Sequence, residues 1–249
     1  MSKNRVLVID FGSQYTQLIA RRIREQNVYS EIFSHNITAK EIKKKNIKAI
    51  IFSGGPLSVY EKASPQLDQE IFNMGIPILG ICYGLHLMIY HAGGKVIHKG
   101  QGEYGSAFIK PEIKSILLDN ISDNSKVWMS HGDEIENVGQ EYKIIAISSN
   151  GIIAAIQHIS KPYYAVQFHP EVVHTKEGDK IISNFLFKIA NIEADWTATN
   201  FISDTVRHIQ NEVGENGKVI TGLSGGVDSS VVGTLLHQAI GDRSTCVFI

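Results

Sequence analysis

Pro77-Ile78-Leu79-Gly80-Ile81-Cys82-Tyr83-Gly84-Leu85-His86-Leu87-Met88 is the stretch on which the reading of the fold turns. An apolar run breaks into Gly-x-Cys-x-Gly and resumes at helical spacing, which reads as strand, sharp turn, helix. A residue held on such an elbow projects from the end of a sheet, and the flanking glycines leave room for a strained turn packed against its neighbours. The helix beginning there presents N–H groups and the positive end of its dipole to the sulfur, so a thiolate is favoured over a thiol. The elbow alone leaves two readings of Cys82 open, a nucleophile and a buried structural cysteine.

Upstream, the chain alternates short apolar runs with helical patterns. Arg5 to Ile9 reads as a strand ending at Asp10-Phe11-Gly12-Ser13, and a helix carrying Leu18, Ile19 and Ile23 follows. Val28 to Phe33 reads as a strand, Thr38 to Lys44 as a short helix, and Ile47 to Phe52 as a strand running into Ser53-Gly54-Gly55-Pro56; Ser64-Pro65 is expected to open another helix. This alternation predicts an α/β fold with a mostly parallel open sheet and flanking helices, with ligands bound outside the carboxyl ends of the strands. From about Lys95 the texture changes to short alternating stretches, Ser106 to Ile109, Ile144 to Ser148, Ile152 to Gln157 and Tyr163 to Phe168, which read as appended antiparallel strands. Ile181 to Ala190 returns to helical periodicity. Asp195-Trp196-Thr197 starts a polar helix to about Val213, and a new β-loop-α unit opens at Lys218. The expected organisation is a first domain over 1–192, a helix and linker over 193–217, and the beginning of a second α/β domain over 218–249.

Composition narrows the classes. In 249 residues the net charge is −1, which gives no bulk electrostatic reason to expect nucleic acid or an anionic membrane as partner. Arg21-Arg22-Ile23-Arg24 and Lys43-Lys44-Lys45 read as solvated helix faces. Two cysteines, Cys82 and Cys246, make neither a disulfide framework nor a metal-ligand cluster. With no apolar stretch long enough for a signal-peptide core or a membrane span, a cytoplasmic location is the expectation.

Phe168-His169-Pro170-Glu171 follows an apolar strand. Extended geometry before the proline would put His169 and Glu171 on the same side, with their backbones ~6.6 Å apart at a strand's rise per residue. A carboxylate there accepts one imidazole N–H and leaves the other nitrogen basic, so a Cys82, His169, Glu171 catalytic constellation is the reading that joins the two ends of the domain.

Gly80-Ile81-Cys82-Tyr83-Gly84, Ser53-Gly54-Gly55-Pro56 and His169-Pro170-Glu171 resemble, in order across residues 5 to 190, the motifs of class I triad-type glutamine amidotransferases. The resemblance implies a flavodoxin-like fold and an enzyme in which Cys82 attacks the side-chain amide of glutamine and His169 protonates the departing ammonia. It implies an oxyanion site at the backbone N–H groups of Gly55 and Tyr83. It also implies a glutamine-binding stretch at Ser130-His131-Gly132-Asp133, for which an ordinary polar turn is the alternative. Two departures stand out: His86 occupies a position where the family usually has a glutamine that helps bind substrate, and Gly102 one where arginine is often found.

At the other end, Lys218-Val219-Ile220-Thr221-Gly222-Leu223 leads into Ser224-Gly225-Gly226-Val227-Asp228-Ser229-Ser230. A strand opening through small residues into a helix cradles phosphate with its backbone N–H groups. It lacks the Gly-Lys-Ser/Thr of a Walker loop and resembles the PP-loop of ATP pyrophosphatases, which implies ATP binding over Ser224 to Ser230. An amidotransferase followed by a PP-loop, together with Asp10-Phe11-Gly12-Ser13-Gln14-Tyr15 and Trp128-Met129-Ser130-His131-Gly132-Asp133, resembles the branch of the family that aminates a purine nucleotide. This implies that ammonia displaces AMP from adenylated xanthosine monophosphate (XMP), giving GMP, AMP and pyrophosphate with Mg²⁺ bound to the nucleotide. It implies a homodimer formed through a C-terminal region as well. The last residues fall in the second strand of the PP-loop unit, so the chain reads as the N-terminal portion of a longer protein that carries the glutaminase half. Two alternatives stay open: an idle amidotransferase-like binding module, motivated by His86, and another ammonia- or sulfur-transferring PP-loop enzyme.

Overall fold

Strand residues of the first half alternate between two apolar environments, and that alternation builds three layers. The computed structural model describes residues 5 to 249; Lys3 and the other residues 1–4 of the expected first domain lie outside it. In β1 (Arg5–Asp10), Val6 and Val8 point to one face of the sheet and Leu7 and Ile9 to the other, all four buried. Burial is worth ~1.5–3 kcal/mol for each such side chain, so this strand has no solvated face to slip onto. Helix α1 (Thr16–Glu25) covers the first face with Ile19, Ala20 and Ile23. On the second face lie α2 (Ala39–Lys43), begun by a Thr38–Glu41 capping box, and α3 (Tyr83–His91), apolar nearly all round and buried from Tyr83 to Ile89.

The remaining strands are β2 (Tyr29–Ser34), β3 (Ile47–Phe52), β4 (Ile78–Ile81), β5 (Lys95–Pro111), β6 (Ser125–Asn137), β7 (Tyr142–Ser148), β8 (Ile153–His158) and β9 (Tyr163–Val166). They form one sheet in the order β2-β1-β3-β4-β9-β8-β7-β5-β6. The pairings from β2 to β9 are parallel and those from β9 to β6 antiparallel. The appended strands therefore extend the parallel sheet rather than form a separate layer.

Three expectations are corrected. Ser64-Pro65 opens no helix: the Ser64 hydroxyl donates to the carbonyls of Val59 and Glu61 and closes a turn, and the helical turn waits for an Asp68 cap, appearing as a 3₁₀ segment at Gln69–Asn73. Ser106 to Ile109 is only part of a 17-residue strand, β5, whose register with β6 is broken between His98 and Glu103. Ser130 to Asp133 is not a loop but the middle of β6, with alternately buried residues.

The order of the sheet leaves β6 at an edge, yet its free side is occupied. His169 N–H donates to the Trp128 carbonyl (3.0 Å), Lys176 N–H to that of Lys126 (3.0 Å), and Trp128 N–H to the Thr175 hydroxyl (3.0 Å). The segment after β9 thus seals an edge that would otherwise be open to pairing. The first unit closes with α4 (Gly178–Ser183), continued by a π-turn over Asn184–Ile189.

The chain divides into two units, one ending at Asp195 and the other running from Trp196 to Ile249. In the second, α5 (Ala198–Val213) starts at a Thr197 cap, and β10 (Val219–Leu223), α6 (Val227–Ile240) and β11 (Ser244–Phe248) form a β-α-β with the two strands parallel. No helix among the described residues is long and apolar enough to cross a membrane.

Candidate active site

The elbow is built as its glycines require. Cys82 lies between β4 and α3 with φ 52° and ψ −104°, a region that costs a non-glycine residue ~1–3 kcal/mol. Both sides hold it there: Cys82 N–H donates to Val166 of β9 (2.8 Å) and Gly84 N–H to Ser53 beyond β3 (3.1 Å). A Cβ on Gly84 would meet Phe52 at 2.7 Å, and one on Gly80 would meet the Met88 sulfur at 2.7 Å and Gly84 backbone at 2.8 Å. Cys82 is thereby the N-cap of α3, beside first-turn N–H groups with no partner inside the helix.

His169 meets Cys82 from the segment after β9. Its Nδ1 lies 2.7 Å from Glu171 Oε1, and both side chains are buried. Facing a carboxylate, Nδ1 carries the proton and donates it, which leaves Nε2 for Cys82. Burial alone would pull the imidazole's pKa down, but hydrogen bonds to Cys82 and Glu171 and the charges on both outweigh it and push it up to about 10. The pairing is made by a turn at Pro170 and Glu171, not by the extended geometry expected, because β9 ends at Val166. Side chains given no such role by the sequence lock that turn. Thr175 Oγ1 donates to the His169 carbonyl (2.6 Å), Arg22 Nε to the Glu171 carbonyl (2.8 Å), and the Tyr15 ring lies edge-on to the imidazole at 5.1 Å. Arg22, read as part of a solvated face, is partly buried here.

These residues border a pocket of about 560 Å³ at the carboxyl ends of β1, β3, β4 and β9, within the ~300–1,000 Å³ usual for small-molecule sites. Gly55 packs on the Tyr83 side chain, its Cβ position 3.1 Å from Tyr83 Cγ, and both residues line the pocket with Cys82. From β6 come Ser130, His131, Gly132 and Asp133, all lining the pocket. Asp133 is largely buried and Oδ1 accepts from Tyr60 Oη (3.1 Å), with His98 Nδ1 at 3.3 Å. His131 Nδ1–H donates to the Asp133 carbonyl (2.8 Å), and Nε2 faces Glu103 Oε2 at 3.5 Å without a formed hydrogen bond. Burial pushes the Glu103 carboxyl up, but the nearby His131 ring and hydrogen bonds from Asn150 and Ser148 bring it below the usual range. Gly102 stands behind this pair with φ +59°, and a Cβ there would come within 2.4 Å of the His131 carbonyl. The arginine often found at this position in the family has no room in this backbone.

His86 lines the same pocket, but its Nε2 lies 2.7 Å from Gln167 Oε1. Gln167 is fully buried, and its Nε2 is 3.9 Å from Cys82 Sγ. A polar residue inside the apolar run Tyr163 to Phe168 was the only sequence signal for it.

In the second unit, Ser224 to Gly226 link β10 to α6. Gly225 has φ +78°, Gly226 is the N-cap, and Asp228 and Ser230 stand exposed and Ser229 half-buried on the first turn. The Ser229 and Ser230 hydroxyls donate to the Gly226 carbonyl at 3.0 and 2.8 Å. Small residues, a left-handed glycine and a 14-residue helix opening towards solvent suit a polyphosphate. The described residues contain no His/Cys/Asp/Glu cluster able to hold a metal ion.

The fold, elbow and pocket agree with comparison to known families: the profile for glutamine amidotransferase class-I matches residues 7–189, and the chain belongs to that family. Among curated proteins it is similar to glutamine-hydrolysing GMP synthases, 49% identical over 249 residues to that of Clostridium novyi and 50% over 244 residues to that of Oceanobacillus iheyensis. It covers 100% and 98% of itself in these matches but 48% of each relative, so the chain spans about half the length of the curated relatives it matches. Residues 198–249 match the profile for NAD synthase. Among solved structures, a protein from Thermoplasma acidophilum described as a GMP synthase subunit is 27% identical with a TM-score of 0.66, over 82% of this chain and 99% of that one. A glutamine amidotransferase from Thermotoga maritima, 16% identical with a TM-score of 0.60 over 76% of this chain and 99% of that one, has the same fold.

Proposed function

We propose that this chain is the glutaminase-bearing N-terminal part of a glutamine-dependent GMP synthase, with Cys82 as nucleophile, His169 as acid and base, and Glu171 as the carboxylate that orients it. The observation that carries the reading is the buried imidazole bonded through Nδ1 to Glu171, at 2.7 Å, and bordering the same pocket as the elbow cysteine. The thiolate attacks the side-chain carboxamide carbon of glutamine, forming C–S while the carbonyl pair moves onto oxygen. The amides of Gly55 and Tyr83 hold that oxyanion, each worth ~10²–10³ in rate. Collapse reforms C=O and breaks C–N, and the nitrogen leaves as ammonia with the proton of His169. Neutral His169 then takes a proton from water, whose oxygen attacks the thioester; C–S breaks, glutamate departs, and the thiolate–imidazolium pair returns. Asp133, with Ser130, His131 and Gly132, faces the α-amino and α-carboxyl groups.

Ser224 to Ser230 would hold the pyrophosphate of ATP through first-turn amides and hydroxyls, with Mg²⁺ travelling on the phosphates. The acceptor is adenylated XMP, and the products are GMP, AMP and pyrophosphate. Similarity over the whole chain to GMP synthases of about twice the length supports this reading. A cytoplasmic homodimer, with no nucleic-acid or membrane partner, belongs to the same reading.

Incubation with glutamine is expected to release glutamate, and an electrophilic glutamine analogue to label Cys82 in the native chain but not in Cys82→Ala. No labelling under any condition would leave an idle binding module. In the full-length protein, Cys82→Ala is expected to abolish GMP formation from glutamine and to spare it from ammonium salts; loss of both would count against separate ammonia-making and ammonia-using sites.

A further inference from the structure

The geometry points to Gln167 and His86 as a positioning pair that presents an amide N–H to the Cys82 sulfur, favouring the thiolate and leaving His86 with no proton to donate to substrate. The inference rests on the glutaminase reading, since it assigns how that nucleophile is kept ionised. Three groups approach Sγ. The His169 imidazole borders the same pocket, the Ser130 carbonyl lies at 3.7 Å, and Gln167 Nε2 lies at 3.9 Å. The carbonyl is an acceptor and favours the S–H form, so a second donor besides His169 is needed to offset it.

A glutamine amide can present either end. With Oε1 towards the sulfur it would add to the repulsion; with Nε2 towards it, it stabilises negative charge. The structure has the second: Oε1 is turned to His86 Nε2 at 2.7 Å, and since an amide oxygen only accepts, the imidazole protonated at that nitrogen holds the amide in this orientation. Burial pulls the His86 imidazole down to about 4, so it is neutral and its single proton is committed to Gln167. The Gln167 backbone is fixed as well, its N–H donating to Ala154 of β8 at 2.8 Å. The departure from the family pattern at residue 86 thus has a role inside the wall of the pocket.

The test is the rate of Cys82 alkylation by iodoacetamide against pH, which needs neither glutamine nor turnover. Gln167→Met keeps the volume and removes the donor. The rising limb of its rate profile is expected to move to higher pH by about one unit, while the limiting rate at high pH is unchanged. His86→Phe should move the same way by less, because the amide is then free to flip, and His86→Gln, which can still donate to Oε1, should restore the native profile. Profiles of Gln167→Met and His86→Phe that superimpose on the native one overturn the inference. Should Gln167→Met fail to fold, the native side-chain amide resonances of Gln167 decide: they shift on Cys82→Ala if the contact exists and stay in place if it does not. An inactive glutaminase with a shifted alkylation profile would sink the functional reading and keep this one, and the reverse result would do the opposite.

Discussion

The backbone at Cys82 carries strain that no residue with a side chain escapes, at φ 52° and ψ −104°. Glycine alone occupies that region without a Cβ penalty. Cys82→Gly is therefore expected to be more stable than Cys82→Ala by about 1 kcal/mol in denaturant unfolding, although both lack the thiol; equal midpoints would mean the elbow is relaxed. At His169 the balance runs the other way, since contacts with Cys82 and Glu171 lift its pKa from 6.5 to about 10 against the pull of burial. A raised folded value means the stabilisation is complete below pH 6.5 and is lost as pH rises through about 10. Glu171→Gln should therefore cost most stability near pH 6 and least above pH 10. It should also lower glutamate release ~10²–10⁴-fold and bring the high-pH limb of the rate profile down. A limb that stays in place in Glu171→Gln would separate that limb from His169.

Elements, more than single residues, explain what could be read in advance. The parallel half was legible because β1, β3 and β4 are short apolar runs ending in glycine-rich turns, and the elbow because Gly80 and Gly84 leave no other packing for β4 and α3. The antiparallel half was half legible. β7 and β8 show as apolar runs on either side of the Asn150-Gly151 turn, whereas β5 carries glycines at 100, 102 and 105 in the left-handed region and shifts register, which removes any period of two. Ser130 to Asp133 could be read as a polar turn because strand β6 buries His131 and Asp133 where apolar residues are the rule, and groups distant in sequence, Glu103 beside His131 and Tyr60 on Asp133, surround them. Gln167 and Thr175 escaped notice for the same reason. Gly84→Ala tests the helix–strand contact directly: with 2.7 Å to Phe52 it should destabilise by ~1–3 kcal/mol and slow Cys82 labelling. Native melting and labelling would mean that α3 and β3 can part at no cost.

Over the whole chain, every residue assigned to the glutaminase lies in the unit that ends at Asp195. Residues 1–195 alone are expected to fold cooperatively and to be labelled at Cys82 as fast as the full chain; failure to label would tie the pocket to the second unit. That second unit has a two-stranded sheet and leaves Ile220, Val227 and Phe248 more than three-quarters exposed, so 196–249 in isolation should self-associate in sedimentation. The seal on β6 has a wider consequence. The segment that delivers His169 to the sulfur is the same one that covers the sheet's free edge, through the amides of His169, Trp128 and Lys176. Chemistry and solubility therefore share one latch. Local opening there would disarm the thiol and bare a strand in a single event, so under gentle heating inactivation and the first aggregation should run with one rate constant while the rest of the sheet keeps its protected amides.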